Sequence, residues 1–265
     1  MSSSTKPVEV TATQELAQKP LLPAPQVFSK FSGHHFSPSP LGVDSNLLIL
    51  LHGLGDSDIG FFNLGKNLQK TLPQTAVLTL QAPHLVPFLD GPHWMWYPSF
   101  DQFGELFTKP NPTATVAGFQ AVLEHLVEKC GWASSSIHTF GFGQGATIAL
   151  ETLVSWTKSH KQSLGTIVSI SGELISHPTL DKPSPTPILH IYRSPTDIPQ
   201  TASKWASHRK ASSALALERL PLTSDGQEEA MLRGKEWDEV MRFWSRFLRN
   251  RSTWELKNEV VQLAS

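Results

Sequence analysis

From Asn46 onward the chain alternates short, wholly apolar runs with longer stretches whose apolar residues recur every three or four positions. A strand covered on both faces must be apolar throughout, whereas a helix docks through one stripe, so this order predicts an α/β protein built on a mostly parallel sheet with helices on both faces. Strands are expected at 47–51, 75–79, 137–142, 166–170, 188–192 and 214–219, each bounded by Gly, Pro or Ser. A helix is expected over 114–129, where Val116, Phe119, Val122, Leu123, Leu126 and Val127 form one stripe behind the capping candidates Asn111 and Thr113. Another should carry Trp237, Val240, Met241, Trp244 and Phe247. These aromatic and aliphatic stripes read as ordinary core rather than as a cofactor site.

The flanks differ. Residues 1–40 are rich in Ser, Pro and Thr without an apolar period, and they read as a flexible extension in which no core begins. A domain is expected over 41–250, followed by a helical tail over 251–265. Glu9 and Glu15 interrupt the place where a secretory signal would need its apolar block. The longest apolar run, 47–51, is far short of the roughly 20 residues that span a bilayer, so no transmembrane segment is expected. Lys and Arg total 22 against 23 Asp and Glu, a net charge of -1, which provides no field for nucleic acid. The single cysteine, Cys130, cannot make an internal disulfide or a thiolate metal site alone; a cytoplasmic setting without metal or cofactor is expected.

Two glycine turns carry the chemistry. Gly53-Leu54-Gly55 closes the first strand, yet no Lys-Ser/Thr pair follows it as a phosphate loop requires. Gly141-Phe142-Gly143-Gln144-Gly145 lies between an expected strand and helix, the setting of a nucleophile elbow, G-x-S-x-G. Its middle residue is Gly143, and among 17 glycines only Gly141 and Gly145 are four apart, so no second elbow exists elsewhere. Glycine accepts positive φ freely, so such an elbow keeps its shape without its nucleophile.

The segments LLILLHGLGD, WYPSFD and GFGQGATIAL, in that order, resemble the acyl-protein thioesterase and carboxylesterase family of α/β hydrolases over about residues 46–250. The resemblance implies a single α/β-hydrolase domain and hydrolysis of acyl esters or thioesters by a Ser, Asp, His triad. It implies an oxyanion hole from the backbone N–H groups of Leu54 and Gln144. The triad acid falls on Thr196, or on Asp197 with a slip of one residue. The base falls nearest Arg233, because 221–237 holds no histidine and the 11 histidines of the chain end at His208. Phe88, Trp94, Trp96 and Tyr97 crowd one connection and are candidates to line an acyl groove.

Glycine cannot attack and arginine cannot accept a proton at neutral pH, so the chain reads as a catalytically silent member of that family. Its cleft would bind acyl chains or an acylated protein, or act as an interaction surface. The alternative is an ester or thioester hydrolase with a displaced nucleophile, for which Ser171 and Ser194 stand at strand ends. His52 reads as a brace for the first turn and His190 as structural. On this reading Gly143→Ser alone yields no efficient hydrolase, and its combination with Arg233→His is the informative rescue.

Overall fold

The computed structural model describes residues 20–87 and 89–251. Its centre is a seven-stranded sheet in the order β1-β3-β2-β6-β7-β8-β9. The strands are β1 (Gly33–Ser37), β2 (Asn46–Leu51), β3 (Thr75–Gln81), β6 (Ile137–Phe142), β7 (Thr166–Ile170), β8 (Ile188–Arg193) and β9 (Leu215–Leu220). All pair in parallel except β1, which runs antiparallel along the edge of β3. A two-stranded ribbon of β4 (His84–Leu85) and β5 (Trp94–Met95) lies apart. The helices are α1 (Asp58–Gln69), α2 (Thr113–Glu128), α3 (Gln144–Ser159), α4 (Ala206–Ala211) and α5 (Trp237–Phe247).

The side-chain period of two splits the apolar runs between two cores. Leu47, Ile49 and Leu51 of β2 face one side, with Phe119 and Leu123 of α2 and Ile148 of α3. Leu48 and Leu50 face the other, with Phe61 of α1 and Val240, Phe243 and Trp244 of α5. Every β2 residue is buried, which is why its sequence shows no alternation. Pro112, not Asn111 or Thr113, is the N-cap of α2, and Asn111 stands one residue ahead of it, its Oδ1 accepting the Thr113 N–H at 3.0 Å.

Regular structure is already present before the boundary expected at residue 40. Pro25–Phe28 forms a 3-10 turn, Phe28 and Phe31 join the core, and Gly33–Ser37 makes the edge strand. None of its residues is fully buried and only Phe36 is a large apolar one, so an apolar-run criterion cannot see it; it is held by pairing with β3 and by Phe36 against the core. Beyond α5, Asn46 and Gln74 grip the outgoing backbone. Asn46 Nδ2 donates to the Arg249 carbonyl and its Oδ1 accepts the Arg249 N–H, both at 2.8 Å; Gln74 repeats this pattern on Arg251. The rest of the expected helical tail lies outside the described residues.

Besides His52 at the end of β2, three histidines are buried in this framework: His138 on β6, His190 on β8 and His208 on α4. Desolvation lowers each imidazole pKa, that of His138 to about 3 with Arg249 adding to the effect, and that of His190 well below its ordinary value. The folded state therefore keeps them neutral where an unfolded imidazole, near 6.5, takes a proton. Stability should be at its plateau above about pH 6.5 and fall as pH drops below it, His138 contributing about 1.4 kcal/mol per pH unit down to about pH 3. Denaturant unfolding at several pH values should show this slope, and His138→Gln should reduce it by one proton's worth.

Candidate functional site

The strand order reverses direction between β2 and β6, so the loops leaving their carboxyl ends diverge and open a crevice there, as in other open α/β sheets. Leu51 of β2 pairs with Gly141 of β6, which places the two glycine turns side by side. They touch through backbone: a Cβ on Gly145 would run into the carbonyl oxygens of Leu51 and His52. Gly143 sits at φ 50, ψ -119, immediately before α3, the conformation of an elbow residue. Its N–H donates to the Ile170 carbonyl at 2.9 Å, and its own carbonyl accepts from Thr147 at 3.0 Å.

Both turns are braced from behind. His52 is buried, and its Nε2 accepts the Ala82 N–H at 3.1 Å, so the proton resides on Nδ1, which donates to the Gly53 carbonyl at 2.7 Å. Burial lowers its pKa, and both ring nitrogens are engaged, which suits a brace and not a base. Trp96 Nε1 donates to the His52 carbonyl at 2.7 Å, and the Trp96 N–H donates to Gln144 Oε1 at 2.8 Å. Gln144 Nε2 then donates to Ser99 Oγ at 2.6 Å, tying the WYPSFD segment to the elbow. The N–H groups of Leu54 and Gln144 donate to no protein acceptor among the described residues.

A cleft of about 400 Å³ opens in front of Gly143 and Gln144. Tyr97, Thr147, Ser171, Glu173, Glu228 and Glu229 contribute to its wall, with Pro110 and Ile175 as its aliphatic part. Of the candidates for an acyl groove, only Tyr97 reaches it. Trp96 is fully buried with its indole committed to His52, Trp94 packs against the core, and Phe88 lies outside the described residues. Burial, with the charges of Glu229 and Glu151 adding, pushes the Tyr97 hydroxyl up to about 12 against a hydrogen bond to Thr147, so it remains protonated.

Neither expected triad partner joins this cleft. Thr196 and Asp197 are exposed on the loop after β8, and Arg233 is exposed at the start of a 3-10 turn, where its N–H donates to Glu236 Oε2 at 2.8 Å. The side chain that takes the place is Glu229. A Cβ on Gly143 would collide with Glu229 Oε1, so the volume a nucleophile's side chain would fill holds a carboxylate oxygen. Although the residue is largely exposed, its carboxyl end points into the cleft, where desolvation raises its pKa.

Arg193, at the end of β8, holds the loop that carries Glu229. Its guanidinium makes a bidentate pair with Glu236, at 2.9 and 2.8 Å, and donates to the carbonyls of Pro221, Ala230 and Met231 at 3.1, 3.4 and 3.3 Å. The guanidinium is almost wholly buried, so truncating it strands both the carboxylate and the loop carbonyls. Sequence reasoning passed over Glu229 because it searched 221–237 for an imidazole; the Gln227-Glu228-Glu229 run in that loop was the available signal.

Other hydroxyl groups are differently placed. Ser169 Oγ and His190 Nδ1 are 3.0 Å apart; His190 reaches the cleft lining, but Ser169 does not, both are almost wholly buried, and desolvation makes that imidazole a weak base. Ser194 is buried and its Oγ accepts the Thr196 N–H at 3.3 Å. Ser171 lines the cleft at φ 53, and its Oγ donates to the Glu228 carbonyl at 3.5 Å, with no imidazole partner among the described residues. No group of three or more His, Cys, Asp and Glu among the described residues is arranged to hold a metal ion, and no described helix is long and apolar enough to cross a membrane.

The family model for Phospholipase/Carboxylesterase matches residues 38–226, so the chain belongs to the phospholipase/carboxylesterase family of α/β hydrolases. An uncharacterized hydrolase of Mycosarcoma maydis is 64% identical over 263 residues, covering 99% of each chain. Among solved structures, esterase PE8 superposes with a TM-score of 0.65 at 22% identity, covering 83% of this chain and 100% of its own. Acyl-protein thioesterase 2 of Zea mays does so with 0.61 at 19% identity, covering 82% and 99%. At these identities the two structures speak to the fold.

The contact between Gly143 and Glu229 revises the rescue expected from sequence. Gly143→Ser should be strained by roughly 1–3 kcal/mol at positive φ and should also displace Glu229. Adding Arg233→His should not help, since position 233 lies outside the cleft. Gly143→Ser with Glu229→His clears the collision and brings an imidazole to the elbow; covalent labelling by a fluorophosphonate should appear in this double variant and not in Gly143→Ser/Arg233→His.

Proposed function

We propose that this chain is a family member that has abandoned the serine mechanism: its cleft receives a carbonyl-bearing acyl compound against the N–H groups of Leu54 and Gln144 and forms no acyl-serine. The observation that carries this reading is the Glu229 carboxylate seated where a nucleophile's side chain would stand. Main-chain donors at 54 and 144 do not depend on the side chain at 143, so the capacity to polarise a carbonyl outlasts the loss of the serine. In subtilisin, a worked example, loss of the nucleophile or the base alone costs about 2 × 10⁶ in kcat. Both family positions are changed here, so serine-type turnover is silent.

The polar wall favours a short or polar acyl group over a long fatty chain, since Pro110 and Ile175 make no continuous apolar track. An acyl group presented on a protein would suit the open mouth, and the single buried thiol, Cys130, suits a reducing compartment such as the cytoplasm. The competing reading, a displaced serine, draws its support from the positive φ of Ser171 at the cleft. Labelling distinguishes the two. Incubated with a fluorophosphonate, the wild-type chain should take up no label and show no burst of p-nitrophenol from p-nitrophenyl acetate; stoichiometric label on Ser171 or any other serine overturns the proposal.

A further inference from the structure

The charged groups around the cleft are not equally satisfied. Lys204 Nζ pairs with Glu173 Oε1 at 3.4 Å, and Arg193 is committed to Glu236. The Glu229 carboxylate makes no hydrogen bond or ion pair among the described residues, although it is partly stripped of water and sits beside the elbow. The nearby N–H groups of Leu54 and Gln144 likewise have no protein acceptor. A carboxylate seated at the elbow, next to two main-chain N–H groups without a protein acceptor, is an arrangement that a bound carbonyl and an attacking water would complete. Nor is its position accidental, because Arg193 clamps the carbonyls of the two residues that follow it, Ala230 and Met231.

From this geometry we propose that Glu229 is the general base of a one-step hydrolysis of short-chain acyl thioesters, in which water attacks in place of a serine. The inference rests on the preceding reading that no serine acts. The thioester carbonyl accepts from the Leu54 and Gln144 N–H groups. Water, hydrogen-bonded to the Glu229 carboxylate, adds to the carbonyl carbon as its proton passes to Glu229, giving a tetrahedral oxyanion. The intermediate collapses with cleavage of the C–S bond, and the Glu229 carboxylic acid returns its proton to the departing sulfur. The products are a carboxylic acid and a thiol; the only co-reactant is water. Thioesters fit better than alkyl esters because a thiolate, with a pKa near 8.5, leaves with little help, whereas an alkoxide needs a stronger acid than this site holds.

The experiment uses the purified full chain with phenyl thioacetate as the probe. Wild type should hydrolyse it above the buffer rate, with kcat rising with pH through the ionisation of one carboxyl group. Glu229→Gln should lower kcat about 100-fold or more, change KM little, and flatten that limb of the profile. Thermal melting checks the fold, and if Glu229→Gln fails to fold, Glu229→Asp keeps the charge, withdraws it by one methylene, and should also lose turnover. Single turnover in ¹⁸O-water should place the label in acetate and none in the Glu229 carboxyl. No turnover by wild type, an unaffected Glu229→Gln, or label in Glu229 overturns the base assignment. Fluorophosphonate uptake is read separately: uptake sinks the serine-free reading as well, whereas no uptake with an unaffected Glu229→Gln sinks this inference alone.

Discussion

Everything at the mouth of this sheet depends on the backbone-to-backbone contact of two turns, one leaving β2 and one leaving β6. The contact is possible because Gly145 has no side chain to strike the Leu51 and His52 carbonyls. Once the turns meet, His52, Trp96 and Gln144 lock them with a chain of buried hydrogen bonds. Those partners are buried and mutually satisfied, so loss of any one would leave the others unpaired in a low-dielectric interior. The scaffold of the cleft is therefore held by groups that do not themselves react, and it can survive changes in the groups that do.

The residues at the elbow are fitted to one another. A glycine at the elbow frees the volume beside its Cα, and a glutamate from the loop after β9 enters that volume. A side chain at 143 would meet that carboxylate. Arg193 makes the arrangement definite. By gripping Glu236 and three loop carbonyls it fixes the path of the chain on either side of Glu229, which converts a flexible acidic side chain into one with an address.

Much of the sheet was legible because buried parallel strands advertise themselves as short apolar blocks. The expected strands at 137–142 and 166–170 coincide with β6 and β7, and the others differ by a residue or two at their ends. β1 was not legible, since an edge strand facing solvent needs no apolar pattern, and neither was α1, where Gly60, Gly65 and polar residues dilute the helical stripe. At the site, the elbow, its positive φ and its neighbour Gln144 followed from local sequence. Arg233, Asp197, Thr196, Trp94 and Trp96 were sought by alignment or by crowding along the chain, and neither criterion says which way a side chain on a long connection points.

By itself the sequence determined the layer architecture, the two glycine turns and the absence of a serine at the elbow, because each is set by nearest neighbours along the chain and by the conformations they permit. Which side chain stands beside the elbow glycine was decided only in three dimensions. Glu229 and Gly143 are far apart in the chain and meet where Arg193, on a different strand again, holds the loop that carries Glu229; no local rule encodes a contact that depends on three segments closing on one another.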